Sequence, residues 1–532
     1  MNNPWRPLIY TSLVALGVAA GMILRPAGQR SFTSAPDNKL AEILNLVDAM
    51  YVDTVDFEQA EDEAINKFLN NLDPHSVYIS AKDLQAVNEP LEGNFEGIGV
   101  EFNIVGDTIV VVTPISGGPS QQLGIQAGDR IVKVNGKKVA GIHIKNEDVT
   151  RLLKGKKGTK VTVSIFRRGA PKLIDYTITR NTIPIYSVEA SYKLNAQTGY
   201  IKISRFAATT YNEFTAALQE LKKKGITKLV VDLRGNPGGY LEEVSKMVDE
   251  VLEDGKLVVY TQGRSTSRSE YKTKHEGLFE KGDLVVLVDE SSASASEIFA
   301  GAIQDWDRGV IVGRRTFGKG LVQQPFQLRD GSALRLTVSR YYTPSGRCIQ
   351  KPYEASTDAY EHEIFERFSN GELTNEDSSK EAKGEVFKTH NGRAVYGGGG
   401  IKPDVFVPFD TTMRSAFLTE VLSQGLLSKF AFSYHDDHKK ELAGYTTIEE
   451  FDKTFDTQHK LMEELLVFLK ANKVSYTADE LKISGQWMYT LTRALIARQL
   501  WKDNGYFYII NQSDKAISTA VQVLQATGNY LK

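Results

Sequence analysis

Within Asp283 to Gln324 the chain sets a strand, a serine-rich turn, a helix, a second strand and a glycine-flanked lysine in close succession, and few folds tolerate that order. Leu284 to Val288 is an apolar run of buried-strand length bounded by charge. Small residues follow from Ser291 to Ser296, and Ile298, Phe299, Ala302 and Ile303 then recur on one helical face. A second apolar run, Val310 to Val312, leads into a glycine-rich turn carrying Lys319. Ser294 falls where the first strand gives way to the helix, a turn that exposes a side chain beside free backbone N–H groups. If the two runs pair side by side, Lys319 returns to the sheet edge that holds Ser294. A serine needs a base to become a nucleophile, and a neutral lysine can serve.

The same residues have other uses. A serine ahead of a helix also acts as an N-cap. Gly313 to Lys319 fits G-x-x-x-x-G-K, the start of a phosphate-binding loop. Gly320, however, stands where that loop needs Ser or Thr for Mg²⁺, and Leu321 to Leu328 reads as an extended run broken by Pro325 where a helix should open. Nucleotide binding fails on both counts.

A chain of 532 residues is long enough for about three or four domains. A formal net charge of -2 gives no electrostatic case for nucleic acid. Cys348 is the one cysteine, which excludes an internal disulfide and any cysteine-rich metal site. His435 and His438, in HDDH, read as a solvated loop rather than metal ligands. Neither a metal nor any other cofactor is called for.

Residues 1–30 read as a membrane anchor or export signal, with Leu8 to Leu24 uncharged between Arg6 and Arg25. No small-x-small cleavage site and no lipidation cysteine follow, so an uncleaved anchor is expected. Arg25, Arg30 and Lys39 oppose Arg6 in the charge count, and orientation rests on exported function. Residues 31–95 are expected to be a polar linker and then helical, with Leu40, Ile43, Leu44 and Val47 at helical spacing and Ala64, Phe68 and Leu69 after an acidic start. Leu72 to Ser80 is a turn, and its His75 suits packing or hydrogen bonding better than chemistry.

From Gly97 the texture changes. GIGVEFNIV and DTIVVVTPI are strands joined at Gly106-Asp107, and AGDRIVKVNG is a strand ending in a tight Asn-Gly turn. A short helix, Asn146 to Leu153, and the strand VTVSIFRRG complete the unit. Residues 96–181 thus resemble a PDZ domain. The resemblance implies that backbone N–H groups of the loop Gly97-Ile98-Gly99-Val100 bind a peptide's terminal carboxylate. It also implies that Val149 and Leu152 line the helix side of the groove.

Residues 182–410 alternate strands and helices, an α/β pattern with chemistry expected at strand carboxyl ends. The strand KLVVDLRG runs into Asn236-Pro237-Gly238-Gly239 and then a helix. Glycines there permit unusual dihedrals and leave N–H groups free at a helix start, as an oxyanion hole requires. An acidic insertion, 351–392, reads as a mobile surface loop with some helix around Tyr360 to Phe368. Residues 411–532 are helical, with capping-box patterns at Thr446/Glu449 and Thr477/Glu480. Met488, Leu491 and Leu495 form an apolar stripe suited to a core or a partner interface, and a homodimer through these helices is a reasonable expectation.

DLRGNPGG, ASASE and TFGKG, in this order behind a PDZ unit and followed by YYTPSGR and VYGGGGIKPD, resemble the carboxyl-terminal processing peptidases. The resemblance spans roughly Ala41 to Pro408. It implies a crotonase-like peptidase core and a Ser–Lys dyad that cleaves proteins near their C termini. By motif, the nucleophile is Ser294, the base Lys319, and Gln323 holds the lysine. The oxyanion hole is the N–H of Ala295 with that of Gly238 or Gly239, while Ser292 and Ser296 are structural.

The chemistry agrees with that assignment. An exposed lysine is neutral in fewer than about one molecule in a thousand at pH 7, and burial sufficient to correct this costs roughly 4 kcal/mol. Phe317, Ile298 and Phe299 are expected to supply the apolar wall. The sequence thus points to an extracytoplasmic bacterial serine endopeptidase, anchored in the inner membrane, with a PDZ gate for proteins with free apolar C termini. A PDZ scaffold with a dead peptidase domain is the alternative, against which intact Ser294, Lys319 and Gln323 all count. A crotonase-like enzyme for acyl thioesters is weaker still.

Overall fold

A computed structural model describes residues 39–353, 357–376, 384–456, 460–526 and 530–531. The expected anchor at Leu8 to Leu24 and the linker after it lie outside the described residues. Among those described, no helix is long and apolar enough to cross a membrane. The chain forms two compact units, Met1–Ala64 and Ile65–Lys532. In the first, the helix Lys39–Met50 leaves Ile43, Leu46 and Met50 exposed. The helix Phe57–Asn70 runs through the junction.

In the second unit, β1 (Val77–Ile79) occupies part of the expected 72–80 turn and precedes the helix Leu84–Glu92. Then come β2 (Asn94–Gly97), β3 (Val100–Ile104), β4 (Ile109–Pro114), β5 (Arg130–Val134) and β6 (Lys137–Lys138). The expected helix Asn146–Leu153 separates these from β7 (Lys160–Phe166), β8 (Ile174–Thr179) and β9 (Asn181–Pro184). One sheet runs β3-β4-β5-β7-β8, so β3 is an edge strand. Every second residue of β4 and β7 enters the interior, where Ile109, Val111, Val163 and Ile165 are fully buried. The Asn-Gly turn forms as expected, with Asn135 and Gly136 both at positive φ.

The next sheet begins with β10 (Val188–Lys193) and β11 (Thr198–Ile203), then β12 (Lys228–Asp232). The strands β13 (Leu257–Gln262) and β14 (Ser269–Lys272) precede β15 (Asp283–Val288), β16 (Val310–Gly313), β17 (Leu321–Gln327) and β18 (Ala333–Tyr342). Short strands β19 (Val386–Lys388), β20 (Ala394–Tyr396) and β21 (Val405–Phe406) follow. The main sheet runs β10-β11-β12-β15-β16-β21, parallel from β11 onward. Because β15 and β16 are parallel neighbours, the turns that follow them emerge at the same edge. That adjacency is the one on which the serine–lysine argument depended. A second sheet runs β1-β18-β13-β14, with β17 also paired to β18. Pro325 is tolerated within β17 because that strand pairs on one side alone.

The helix Ala295–Asp305 is buried along its whole length between these layers, which explains its small and apolar composition. The C-terminal helices have a core of their own, centred on Phe451, Leu461, Leu465 and Met488. Met488 and Leu491 are buried in it and Leu495 packs against it, so the apolar stripe is consumed within the chain and is not open to a partner. Polar contacts join this region to the PDZ unit. Arg168 Nη1 donates to Asp437 Oδ1 at 2.6 Å, Arg498 Nη2 lies 3.0 Å from Glu101 Oε1, and Lys502 Nζ meets Ser116 Oγ.

Three expectations are corrected. The 351–392 insertion is not merely a mobile loop: the helix expected around Tyr360 to Phe368 forms, as Thr357–Ser369, but it buries Tyr360 and Arg367, and Arg367 pairs with Glu372. His435 and His438 are at the end of the helix Leu426–Asp437 rather than in a loop, with His438 stacked on Tyr434 at 4.0 Å. The capping pattern expected at Thr446/Glu449 is displaced by one residue, because the Thr447 side chain accepts from Glu450 N. Thr477/Glu480 caps as expected.

Candidate active site

Ser294 stands between β15 and the buried helix at φ 54° and ψ -113°. A side chain rarely adopts that backbone, and such strain persists only where the surroundings hold it. Here the surroundings are the neighbouring turn after β12. Asn236 is its pin. Its Nδ2 donates to Ile203 O at 3.0 Å, while its carbonyl accepts from Ala293 N at 3.0 Å and Ser296 Oγ at 2.9 Å. Ser292 Oγ donates to Leu233 O at 2.9 Å. Ser292 and Ser296 therefore serve structure, as expected.

The same pin decides between the two glycines. Gly238 N–H is spent on Asn236 Oδ1 at 2.8 Å. The N–H groups of Gly239 and Ala295 have no such partner in the described structure, so Gly239 rather than Gly238 pairs with Ala295 as a donor. Neither glycine can be replaced. A Cβ on Gly238 would lie 2.7 Å from Ser294 Cβ, and one on Gly239 would lie 2.1 Å from Phe206 O. Behind this turn Asp232 is buried. Burial alone would raise its carboxyl, but Arg234 and Lys202 hold it well below the usual carboxylate range.

The loop that carries Lys319 is tied to Ser294 by one buried carboxylate, which sequence reasoning did not single out. Glu297 Oε2 accepts from Ser294 N and from Lys319 N, each at 2.9 Å. Its Oε1 accepts from Gly318 N at 2.8 Å and from Thr316 Oγ1 at 2.5 Å. Burial pushes this carboxyl up to about 7, against the four donors that pull it down. Three of the four partners are backbone N–H groups, which only donate, and these favour the ionised form against the cost of burial. Tyr341 adds a second tie, its hydroxyl lying 3.1 Å from Ser294 O and 2.5 Å from Lys319 O. The signal was present in the sequence as the Glu of ASASE, three residues after Ser294. That is the spacing of a capping box, but nothing local showed that its carboxylate also reaches residues 316 to 319.

Lys319 is partly buried, and its ammonium makes no hydrogen bond or ion pair in the described structure. Its pKa is lowered, first by burial and then by the Arg335 guanidinium, while Glu297 and Asp73 oppose the shift. The expected apolar wall is only partly what surrounds this loop. Ile298 and Phe299 belong to the core, and Phe317 turns its ring edge to Tyr360 at 5.6 Å with Lys351 Nζ 4.0 Å above it. His75 Nε2 lies 2.9 Å from Tyr360 OH. Burial and then the charge of Lys319 lower its pKa to about 3, which keeps it a neutral hydrogen-bonding group, the part expected of it.

Ser294, Gly239 and Gln323 line one cleft of about 730 Å³ together with Tyr240, Leu241, Ile298 and Val322. Gln323 Nε2 donates to Thr337 Oγ1 at 3.2 Å. The loop Gly97 to Val100 does not line this cleft. Ser120 Oγ donates to Ile98 O at 2.6 Å and Ile115 N to Gly99 O at 2.9 Å, which tie down the carbonyls of the loop Gly97 to Val100. The N–H groups of Ile98 and Gly99 have no such partner in the described structure. Leu152 is half-buried beside the PDZ core, but Val149 is fully buried within it and cannot line an open groove. Among the described residues no cluster of three or more His, Cys, Asp or Glu side chains is placed to hold a metal ion.

If Glu297 aligns both loops, Glu297→Gln sets an amide N–H₂ against two of its four donors. That should cost about 1–3 kcal/mol of stability, with activity lost well beyond the unfolded fraction. Denaturant unfolding and peptidase assays on the same preparation check it.

A model of peptidase family S41 matches residues 197–358, a PDZ domain model matches 110–167, and a family of unknown function matches 417–503. The carboxy-terminal processing protease CtpA of Bacillus subtilis is 36% identical over 353 residues, covering 65% of this chain and 75% of its own. The carboxy-terminal-processing protease of Bartonella bacilliformis is 36% identical over 316 residues, covering 59% and 72%. Among solved structures, the photosystem II D1 C-terminal processing protease is 32% identical, with a TM-score of 0.35, over 59% of this chain and 84% of that one. The chain belongs to the carboxy-terminal processing proteases, serine peptidases of family S41 that carry a PDZ domain.

Proposed function

We propose that Ser294 and Lys319 form the catalytic dyad of an extracytoplasmic endopeptidase whose PDZ unit grips the substrate's free C terminus. The observation that carries this proposal is the single carboxylate of Glu297, which binds the N–H groups of both residues. In the proposed reaction Ser294 Oγ attacks the carbonyl carbon of the scissile bond and its proton passes to Lys319 Nζ. The oxyanion rests against the N–H groups of Gly239 and Ala295. As the carbon–nitrogen bond breaks, Lys319 returns the proton to the leaving amine. Lys319 then takes a proton from water as that water attacks the acyl group, and returns it to Ser294 Oγ as the acyl–oxygen bond breaks. The lowered pKa of Lys319 supports its part, because the base must be neutral before attack.

The dyad is tested by substitution. Ser294→Ala and Lys319→Ala should each reduce cleavage of an unstructured protein by at least about 10⁴-fold, within the range for loss of such a group. Their unfolding transitions should match the parent's. A purified Lys319→Ala enzyme that keeps its turnover would end the lysine-base mechanism.

The free N–H groups of Ile98 and Gly99 and the unpaired edge of β3 support recognition of a terminal carboxylate with strand addition. Charge-assisted hydrogen bonds are worth roughly 1.5–3 kcal/mol each, so amidating a substrate's C terminus should weaken recognition on the order of tenfold or more. Competition between free and amidated apolar tags in cleavage assays measures this. Equal cleavage of the two would rule out the gate.

Membrane attachment through residues 1–30 is part of the same proposal and rests on the uncharged run Leu8 to Leu24. Fractionated cells should hold the full-length protein in the membrane, with its bulk open to protease from the extracytoplasmic side. A soluble form with a mature N terminus near Arg30 would replace the anchor with a cleaved signal.

A further inference from the structure

The family resemblance gives Gln323 the part of holding the lysine, a bond that the described structure does not show, and an amide can present either end. Its Nε2 lies 3.2 Å from Thr337 Oγ1 across the β17–β18 pair, where the two residues stand in register. A hydroxyl can accept or donate, so that contact alone does not fix the amide. Asp73 does. Thr337 Oγ1 lies 3.0 Å from Asp73 Oδ1, and a carboxylate is an acceptor only. The hydroxyl must therefore give its one proton to Asp73 and accept from Gln323. The nitrogen end of the amide is thus turned to Thr337, and Oε1 is turned away from it as an acceptor.

Asp73 is itself held. It is 6% exposed, its Oδ1 accepts from His75 N at 2.8 Å and Ser76 N at 2.9 Å, and its Oδ2 accepts from Ser76 Oγ at 2.5 Å. Ser76 Oγ in turn accepts from Thr337 N at 3.1 Å. The direction of every proton in this network follows from the acceptor-only carboxylate at its head.

We infer that Asp73 and Thr337 are positioning residues that fix the Gln323 amide with Nε2 on Thr337 and Oε1 toward Lys319, so that Gln323 accepts from the lysine amine. This rests on the proposed dyad. An amide turned the other way would hydrogen-bond the neutral amine's lone pair, the electrons that must take the proton of Ser294. Glu297, Arg335 and Asp73 are the charged groups acting on Lys319, and none of them is altered in the variants below.

The test is Thr337→Val in the full chain, which removes the hydroxyl at nearly constant volume, with Thr337→Ser as the conservative variant. Cleavage of an unstructured protein is followed across pH. For Thr337→Val, kcat should fall roughly ten- to hundredfold with KM little changed, as for a misplaced catalytic group. The alkaline-rising limb should move to lower pH, because a donor on the lone pair disfavours the ammonium. Thr337→Ser should restore both. In a Gln323→Leu background Thr337→Val should add nothing further. An unchanged rate, a limb moving to higher pH as from simple hydration of Lys319, or full additivity with Gln323→Leu would overturn the positioning role. Should Thr337→Val unfold, the rate and pH limb of Gln323→Leu decide: the proposal predicts a lowered kcat, and an unchanged profile overturns it. Lys319→Ala separates the two levels, because activity surviving that substitution would defeat the dyad and not this network alone.

Discussion

The structure depends on a buried carboxylate that makes no ion pair among the described residues. Glu297 replaces a cation with four hydrogen-bond donors, three of them backbone N–H groups from the turns that carry Ser294 and Lys319. Burial of such a charge is costly unless every lone pair is met, and here every one is. The consequence is a geometric constraint: neither turn can shift without stranding part of the carboxylate. The strained backbone of Ser294 is held from this side and, through Asn236, from the turn after β12. Two parallel strands bring the turns to the same edge, and the carboxylate sets their final spacing.

Much of this was legible in the sequence because it was written locally. Short continuous apolar runs gave the central strands of the main sheet, and the parallel pairing of β15 with β16 followed the expected order. The NPGG turn and the ASASE turn announced themselves by residue types that few structural purposes require together. Local pattern failed where function lay in contact between distant segments. Asp73, His75 and Tyr360 read as turn and insertion residues, since nothing near them in the chain shows that Asp73 and His75 lie within electrostatic reach of Lys319 or that Tyr360 bonds to His75. Val149 was misplaced for a related reason. A helix position that faces the PDZ sheet and one that faces the groove differ by a fraction of a turn, and periodicity does not say which apolar residue is covered.

The acidic insertion illustrates how composition misleads. Its charge suggested solvent exposure, yet Lys351, Arg315 and Arg367 lie opposite its Glu363 and Glu372. Those pairs let Tyr360 reach inward to His75 and Gln350. High charge marks disorder only when no complementary charge awaits it in the fold.

The span of these contacts bears on when the chain first becomes competent to cut. Thr337 and Asp73 are 264 positions apart, and His75 and Tyr360 are 285 apart. Contacts of that separation close late, after the loop entropy between them has been overcome. A chain still emerging from the ribosome already contains Ser294 and Lys319 before Tyr360 has been added. It does not yet have the shell that surrounds them. Competence to cut is therefore tied to completion of the chain, because the residues that close this shell are among the later ones to be added.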